Sequence, residues 1–156
     1  GQEGQGFKLA MQTLEAFRTT VAAAALGMGR RALDEATAFA KARQQGGKPI
    51  IQHQQIGAYL AEGWTELDAA RLLVYRAAHH KDTVPGRATA PVAMAKLFAT
   101  EAASRLIDKA VQIHGGRGVQ VGSVVERLYR EIRALRIYEG TSEIQKVILA
   151  ATLARG

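Results

Sequence analysis

Pro91-Val92-Ala93-Met94-Ala95-Lys96-Leu97-Phe98-Ala99-Thr100-Glu101-Ala102-Ala103-Ser104-Arg105-Leu106-Ile107-Asp108-Lys109-Ala110-Val111-Gln112-Ile113-His114 has its one proline at the start and no glycine. Met94, Phe98, Ala102, Leu106 and Ala110 form an unbroken i, i+4 ladder, the period of an amphipathic helix. Gly115-Gly116-Arg117-Gly118 stops it. Proline is tolerated in a first helical turn and glycine ends helices, so the stretch predicts a long helix over Pro91 to His114.

The flanking sequence has the same character. A tract from Ile51 to His80 places Ile56, Leu60, Gly63, Leu67, Ala70 and Val74 on one face, and Asp82 to Arg87, with Pro85 and Gly86, reads as the following loop. An earlier tract from Phe7 to Arg43 repeats Leu14, Phe17, Val21 and Ala24 at helical steps. Its Gly27 and Gly29 leave room for a neighbouring helix. Gln44-Gln45-Gly46-Gly47-Lys48-Pro49 ends this tract, with Gly46 or Gly47 suited to a left-handed cap. A short helix is predicted from Val124 to Arg133 and a last one after Gly140. Thr141 or Ser142 is its N-cap, Glu143 lies in its first turn, and Ile144, Val147, Ile148 and Ala151 are its apolar face. Only Val119-Gln120-Val121 alternates at period two. The prediction is an all-α chain: one antiparallel four-helix bundle with short extra C-terminal helices over residues 1–156. Gly1 to Gly6 reads as an interdomain loop remnant, so the chain is expected to be part of a longer polypeptide.

Composition narrows the chemistry. With no cysteine, disulfides, thiolate-bound metals and thiol nucleophiles are excluded. An apolar content of 47% opposes disorder. Val21 to Met28 is far shorter than the ~20 residues of a membrane helix. The net charge of +7 raises nucleic-acid binding as a possibility. Yet Glu126 and Glu131 dilute the basic run of Arg127, Arg130, Arg133 and Arg136, and no stacking-aromatic motif accompanies it. A solvated or intersubunit face explains that run better. His53 and His114 are isolated, and the adjacent His79 and His80 point about 100° apart on a helix, so no metal site is expected.

Two stretches carry possible chemistry. In Gln112-Ile113-His114-Gly115-Gly116-Arg117-Gly118, three glycines in four residues exceed what a helix stop requires. They free the backbone to approach a ligand. In Ile137-Tyr138-Glu139-Gly140-Thr141-Ser142-Glu143-Ile144-Gln145, a glutamate stands between an aromatic and a glycine just before a helix. Partial desolvation there suits a carboxylate to proton abstraction. Gly140 leaves room for a substrate, and Thr141 and Ser142 offer hydroxyls and helix-start amides. On residue types alone, the same stretch reads better as an N-capped helix preceded by an ordinary loop glutamate. A non-catalytic helical domain serving oligomerisation or anion binding then remains an alternative.

Five ordered motifs bear on that choice. Tyr138-Glu139-Gly140-Thr141-Ser142-Glu143-Ile144-Gln145 resembles the C-terminal signature of the acyl-CoA dehydrogenase family. Arg43 to Ile50 resembles its Arg-x-x-Phe-Gly-x-Pro-Ile loop, followed by His53-Gln54. Met94-Ala95-Lys96 and Gln112 to Gly118 are similar to its Met-Ala-Lys and Gln-x-x-Gly-Gly-x-Gly, and Gly4-Gln5-Gly6-Phe7 to its entry into this domain. The resemblance covers essentially the whole chain, but only the last of the family's three domains. The chain departs from the pattern at Gly46, where the family usually has Phe, at Val119, where an aromatic is common, and at Glu131, where Asp is usual.

The resemblance implies α,β-dehydrogenation of an acyl-CoA thioester. Glu139 would remove the α-proton and the β-hydrogen would pass as hydride to N5 of FAD. The amide of Glu139 and a flavin hydroxyl would polarise the thioester carbonyl. By the same resemblance, Arg43, Gln44, Gln45, His53, Gln54, Gln112, Ile113, His114, Gly115 and Gly116 would contact FAD, partly across a subunit boundary. Thr141, Ser142 and Glu143 would meet its pyrophosphate end. Glu15, Arg18 and Gly140 would contact the acyl substrate. Implied partners are a second copy in a homodimer or homotetramer and an electron-transfer flavoprotein or similar acceptor. The implied setting is the bacterial cytoplasm or, in a eukaryote, the mitochondrial matrix. The chain alone is expected to be inactive.

Overall fold

Alanine lines the inside of this molecule. Ala22, Ala25, Ala32, Ala36 and Ala40 are fully buried on one helix, and Ala93, Ala95, Ala99, Ala102, Ala103 and Ala110 on another. Small side chains at an interface let helix backbones approach closely, so a long contact is packed without large side chains. The computed structural model describes residues 1–155. These form α1 (Gly6–Ala42), a two-residue antiparallel pair of β1 (Gln44–Gln45) and β2 (Lys48–Pro49), α2 (Gln54–Thr83), α3 (Thr89–His114), α4 (Val124–Leu135) and α5 (Ser142–Leu153). Short 3₁₀ turns at Ile50–Gln52 and Gly115–Val119 lead into α2 and out of α3.

The helices run up, down and up. Glu66 of α2 pairs with Arg105 of α3, while Arg76, ten residues further on, reaches back to Met94. Gly29 lies against both Leu67 and Ala103. Further along, Phe39 of α1 stacks on His114 of α3 with ring centroids 4.4 Å apart, so α1 and α3 run parallel with α2 against them. A Cβ at Gly29 would come within 2.7 Å of the Leu67 side chain, and one at Gly63 would overlap Leu106. Two glycines thus set the approach of α2 to its neighbours. Gly27 faces open space. Val125, Leu128, Ile132 and Leu135 seat α4 on this core.

The all-α bundle is as predicted, and three local expectations are corrected. The i, i+4 ladder of α3 is not one face, because each step of four residues advances about 40° around a 3.6-residue helix. Ala102, Leu106 and Ala110 are buried, whereas Met94 is 40% exposed. On α1 the face read from Leu14, Phe17 and Val21 is misplaced at its start. Phe17 is 52% exposed, while the neighbouring inward positions hold Glu15 and Arg18, each 7% exposed. Apolar patterning misleads wherever the buried stripe is polar. Finally, α1 ends with Arg43 in an extended conformation rather than a left-handed cap. Gly46 and Gly47, at φ 61° and 76°, instead form the tight turn between β1 and β2, where positive φ at both central residues matches the strand twist.

Candidate active site

Glu139 has φ 58°, in the left-handed region, and no other non-glycine residue among those described has a positive φ. That conformation costs about 1–2 kcal/mol for an L-residue, and it persists only where the surroundings enforce it. Here three helices do so through the main chain. From α1, Arg18 Nε donates to the Glu139 carbonyl at 2.9 Å. From α3, Lys96 Nζ donates to the Gly140 carbonyl at 2.8 Å. From α5, Gln145 Nε2 donates to the Gly140 carbonyl at 3.0 Å and more weakly to that of Glu139 at 3.4 Å. Lys96 and Gln145 are fully buried.

The carboxylate itself is left unpaired. Glu139 Oε2 is buried without a hydrogen-bond partner, and the Glu139 N–H donates to no acceptor among the described residues. A buried polar atom without a partner carries a desolvation cost, which a ligand donor or a bound proton would relieve. Burial, and then the nearby Glu139 charge, raise the Tyr138 phenol above its ordinary value. Burial lowers the Arg18 guanidinium, against the opposing pull of Glu15 and Glu139.

A second tier of contacts holds this arrangement. Glu15 Oε1 accepts from Thr89 Oγ1 at 2.5 Å and from Arg87 Nε at 2.9 Å, tying the α2–α3 connection to α1 one turn from Arg18. Glu101 Oε1 accepts from Ser142 Oγ at 2.5 Å and Arg136 Nε at 2.8 Å, fixing both ends of the loop that carries Glu139. Burial pushes the Glu101 carboxyl up, but the Ser142 and Arg136 hydrogen bonds and the charges of Arg136 and Arg105 outweigh it and hold it below the usual range. Thr141 caps α5, its Oγ1 accepting from the Ile144 N–H at 3.3 Å.

The structure sorts the remaining sequence candidates. The Ser142 hydroxyl is engaged by Glu101, which leaves Thr141 and the exposed Glu143 at the start of α5. A Cβ at Gly140 would meet Gln145 Nε2 at 2.9 Å and Arg18 Nη2 at 3.3 Å, so on that side the missing side chain accommodates the clamp. The other group lies at the far end of the bundle. From Lys96 to His114 along α3 is about 27 Å at 1.5 Å per residue. There Arg43, Gln44, Gln45 and Gln54 are exposed, and His53 Nε2 meets the Gln45 carbonyl at 3.0 Å, fastening the hairpin to the start of α2. Gln112, Gly115 and Gly116 are exposed, and a Cβ on either glycine would meet nothing within 4 Å. Ile113 is a core residue, so its side chain faces away from that surface. His114 Nδ1 lies 2.8 Å from the Ala110 carbonyl.

The family description "Acyl-CoA dehydrogenase, C-terminal domain" matches residues 4–154. The chain belongs to the acyl-CoA dehydrogenase family. It is 45% identical over 155 residues to a 3-(aryl)acrylate reductase of Clostridium sporogenes, covering 99% of this chain and 41% of that protein. It is 44% identical over 155 residues to the mitochondrial short-chain specific acyl-CoA dehydrogenase of Homo sapiens, covering 99% and 37%. The solved structure of butyryl-CoA dehydrogenase from Megasphaera elsdenii superposes with a TM-score of 0.95 at 41% identity, covering 99% of this chain and 40% of that one. The chain thus spans about two fifths of the length of these family members.

Sequence reasoning missed Lys96 as a site residue, although it quoted the Met-Ala-Lys triplet, and it missed Gln145, Glu101, Arg87 and Thr89. The available signal was a lysine within the alanine-rich part of α3 and a glutamine one turn into α5. Both are long donors where an apolar residue would otherwise suit a core position.

Proposed function

We propose that this chain is the C-terminal domain of an FAD-dependent enzyme that interconverts saturated and α,β-unsaturated acyl-CoA thioesters, with Glu139 as the group that exchanges the α-proton. The observation that carries the reading is the unpaired, buried Glu139 oxygen on a main chain held from three helices. The Glu139 carboxylate takes the α-proton as the α C–H bond breaks, and that electron pair forms the new double bond. FAD, when bound, supplies the acceptor for the β-hydrogen and its electron pair. The free Glu139 N–H is available to the thioester carbonyl oxygen, stabilising the charge that develops as the proton leaves.

The residues fit the cofactor as two separate sets. Thr141 and Glu143 border the base at the start of α5. Arg43, Gln44, Gln45, Gln112, Gly115 and Gly116 form an open polar surface about 27 Å away. The distance supports assigning that surface to a flavin held mainly by a second copy, so the assembly is a homodimer or homotetramer. A hydride-accepting cofactor also needs a re-oxidant, and an electron-transfer flavoprotein fits that requirement.

The same residues serve the reverse direction. A protonated Glu139 would deliver its proton to Cα while the β-carbon takes hydride from the reduced form of the cofactor, so that the double bond is reduced as the cofactor is oxidised. The likeness to a 3-(aryl)acrylate reductase favours including this direction. The test uses the full polypeptide loaded with FAD, assayed by dye reduction with butyryl-CoA and octanoyl-CoA. Turnover that Glu139→Gln abolishes while flavin stays bound supports the reading; unchanged turnover in that variant overturns it. The 156-residue chain alone with FAD is expected to show no dye reduction, because one domain does not align thioester and flavin.

A further inference from the structure

Lys96 is a charged side chain with no exposed surface in the middle of an alanine-rich helix. Burying an ammonium is costly unless it is well paired. The groups facing it come from every side: Arg18 on α1, Glu101 on its own helix, Glu139 in the loop and Glu143 on α5. Burial, and next the Arg18 cation, push Lys96 down to about 8, against the pull of Glu101, Glu139 and Glu143. Its one hydrogen bond among the described residues is to the Gly140 carbonyl. The bundle does not need that contact to pack, since alanines surround it on α3 and an apolar residue would fill the space. The contact lies instead on the carbonyl of the residue that follows the strained Glu139.

We infer that Lys96 is a positioning residue for the base: together with Gln145 and Arg18, it fixes the two peptides that follow Glu139 so that the carboxylate and the Glu139 N–H face one reacting carbon and its carbonyl. The inference rests on the reading of Glu139 given above. Lys96 and Gln145 converge on one carbonyl while Arg18 holds the preceding one. With two successive carbonyls anchored, the peptide planes on both sides of Gly140 are held, and the chain leaving Glu139 is fixed on its carbonyl side. Without Lys96, Gln145 alone holds the Gly140 carbonyl, and Glu139 relaxes toward a commoner backbone conformation that displaces its carboxylate. Misplacement of a reacting group by about 1 Å costs on the order of a hundredfold in rate.

The test compares the full FAD-loaded polypeptide with its Lys96→Met and Glu139→Gln variants. Butyryl-CoA is used with hydrogen or deuterium at Cα. Lys96→Met is expected to lower kcat by about tenfold to a hundredfold, with KM changed less than about twofold and flavin content unchanged. The α-deuterium isotope effect on kcat should rise, because proton removal is the step that slows. A packing role alone would change thermal stability and leave the isotope effect where it was. If Lys96→Met does not accumulate as folded protein, Lys96→Gln, one bond shorter at its donor nitrogen, carries the same expectation. A Lys96 variant with the parent's kcat and isotope effect, beside an inactive Glu139→Gln, overturns this inference alone. Full turnover in Glu139→Gln overturns the assignment of the base beneath it.

Discussion

The two ends of the bundle handle polar groups in opposite ways. At the Glu139 end, side chains from α1, α3 and α5 are buried and joined to the main chain of one loop, and a carboxylate oxygen is the group left over. At the hairpin end, Arg43, Gln44 and Gln45 project from the surface, and Gly115 and Gly116 have open space where side chains would be. The first end is organised before any ligand arrives, as the proposed proton transfer would require. The second is a surface whose polar groups await contacts from outside the chain. On the proposed reading, one domain carries the residues for handling a proton and only part of those for holding a cofactor.

The sharpest way to break that contrast is Glu139→Gln in the full polypeptide. Turnover should fall about 10³-fold or more, measured by dye reduction, while flavin absorbance is retained. Gly63→Val tests the packing between the two ends. Its side chain would collide with Leu106, and overpacking of this kind costs about 1–3 kcal/mol, read as a lower urea midpoint.

A smaller effect is expected from acid. Because the Glu101 carboxyl lies below its ordinary value in the fold, its stabilisation is complete above the unfolded carboxyl pKa of about 4.3. It is lost as pH falls through the lower folded value. The stability advantage of the parent over Glu101→Gln should accordingly be present at pH 7 and shrink on acidification below about pH 4, followed by urea unfolding across pH. The smallest stability change is assigned to the hairpin end. His53→Ala removes the contact to the Gln45 carbonyl and should cost about 1 kcal/mol or less, while weakening flavin retention in the full polypeptide. A variant that keeps its flavin as firmly as the parent would separate the hairpin from cofactor binding.

How much of this was legible in the sequence differs between the two ends. The helices were, because glycine and proline punctuate each one and Leu60, Leu67 and Val74 mark the inner face of α2 at helical spacing. Residue type left the N-cap of α5 between Thr141 and Ser142, and the structure places it at Thr141. The buried polar stripe was not legible. Glu15, Arg18, Lys96 and Gln145 face inward where periodicity reserves positions for apolar side chains, so Phe17 was drawn inward in place of Arg18. Arg18 and Lys96 meet partners 121 and 44 residues away, and Glu15 meets partners 72 and 74 away, which no local pattern encodes. Glu139 emerged through motif resemblance, and its left-handed backbone is visible only in three dimensions.

The clamp around Glu139 grips peptide carbonyls and leaves the side chain alone. The hydrogen bonds of the socket therefore do not depend on which side chain occupies it. A glycine at this position would relieve the torsional burden and yield a sturdier, inert protein. On the proposed reading the chemistry would rest on a removable part in a mount built without it, one that evolution or an engineer could change without rebuilding the scaffold.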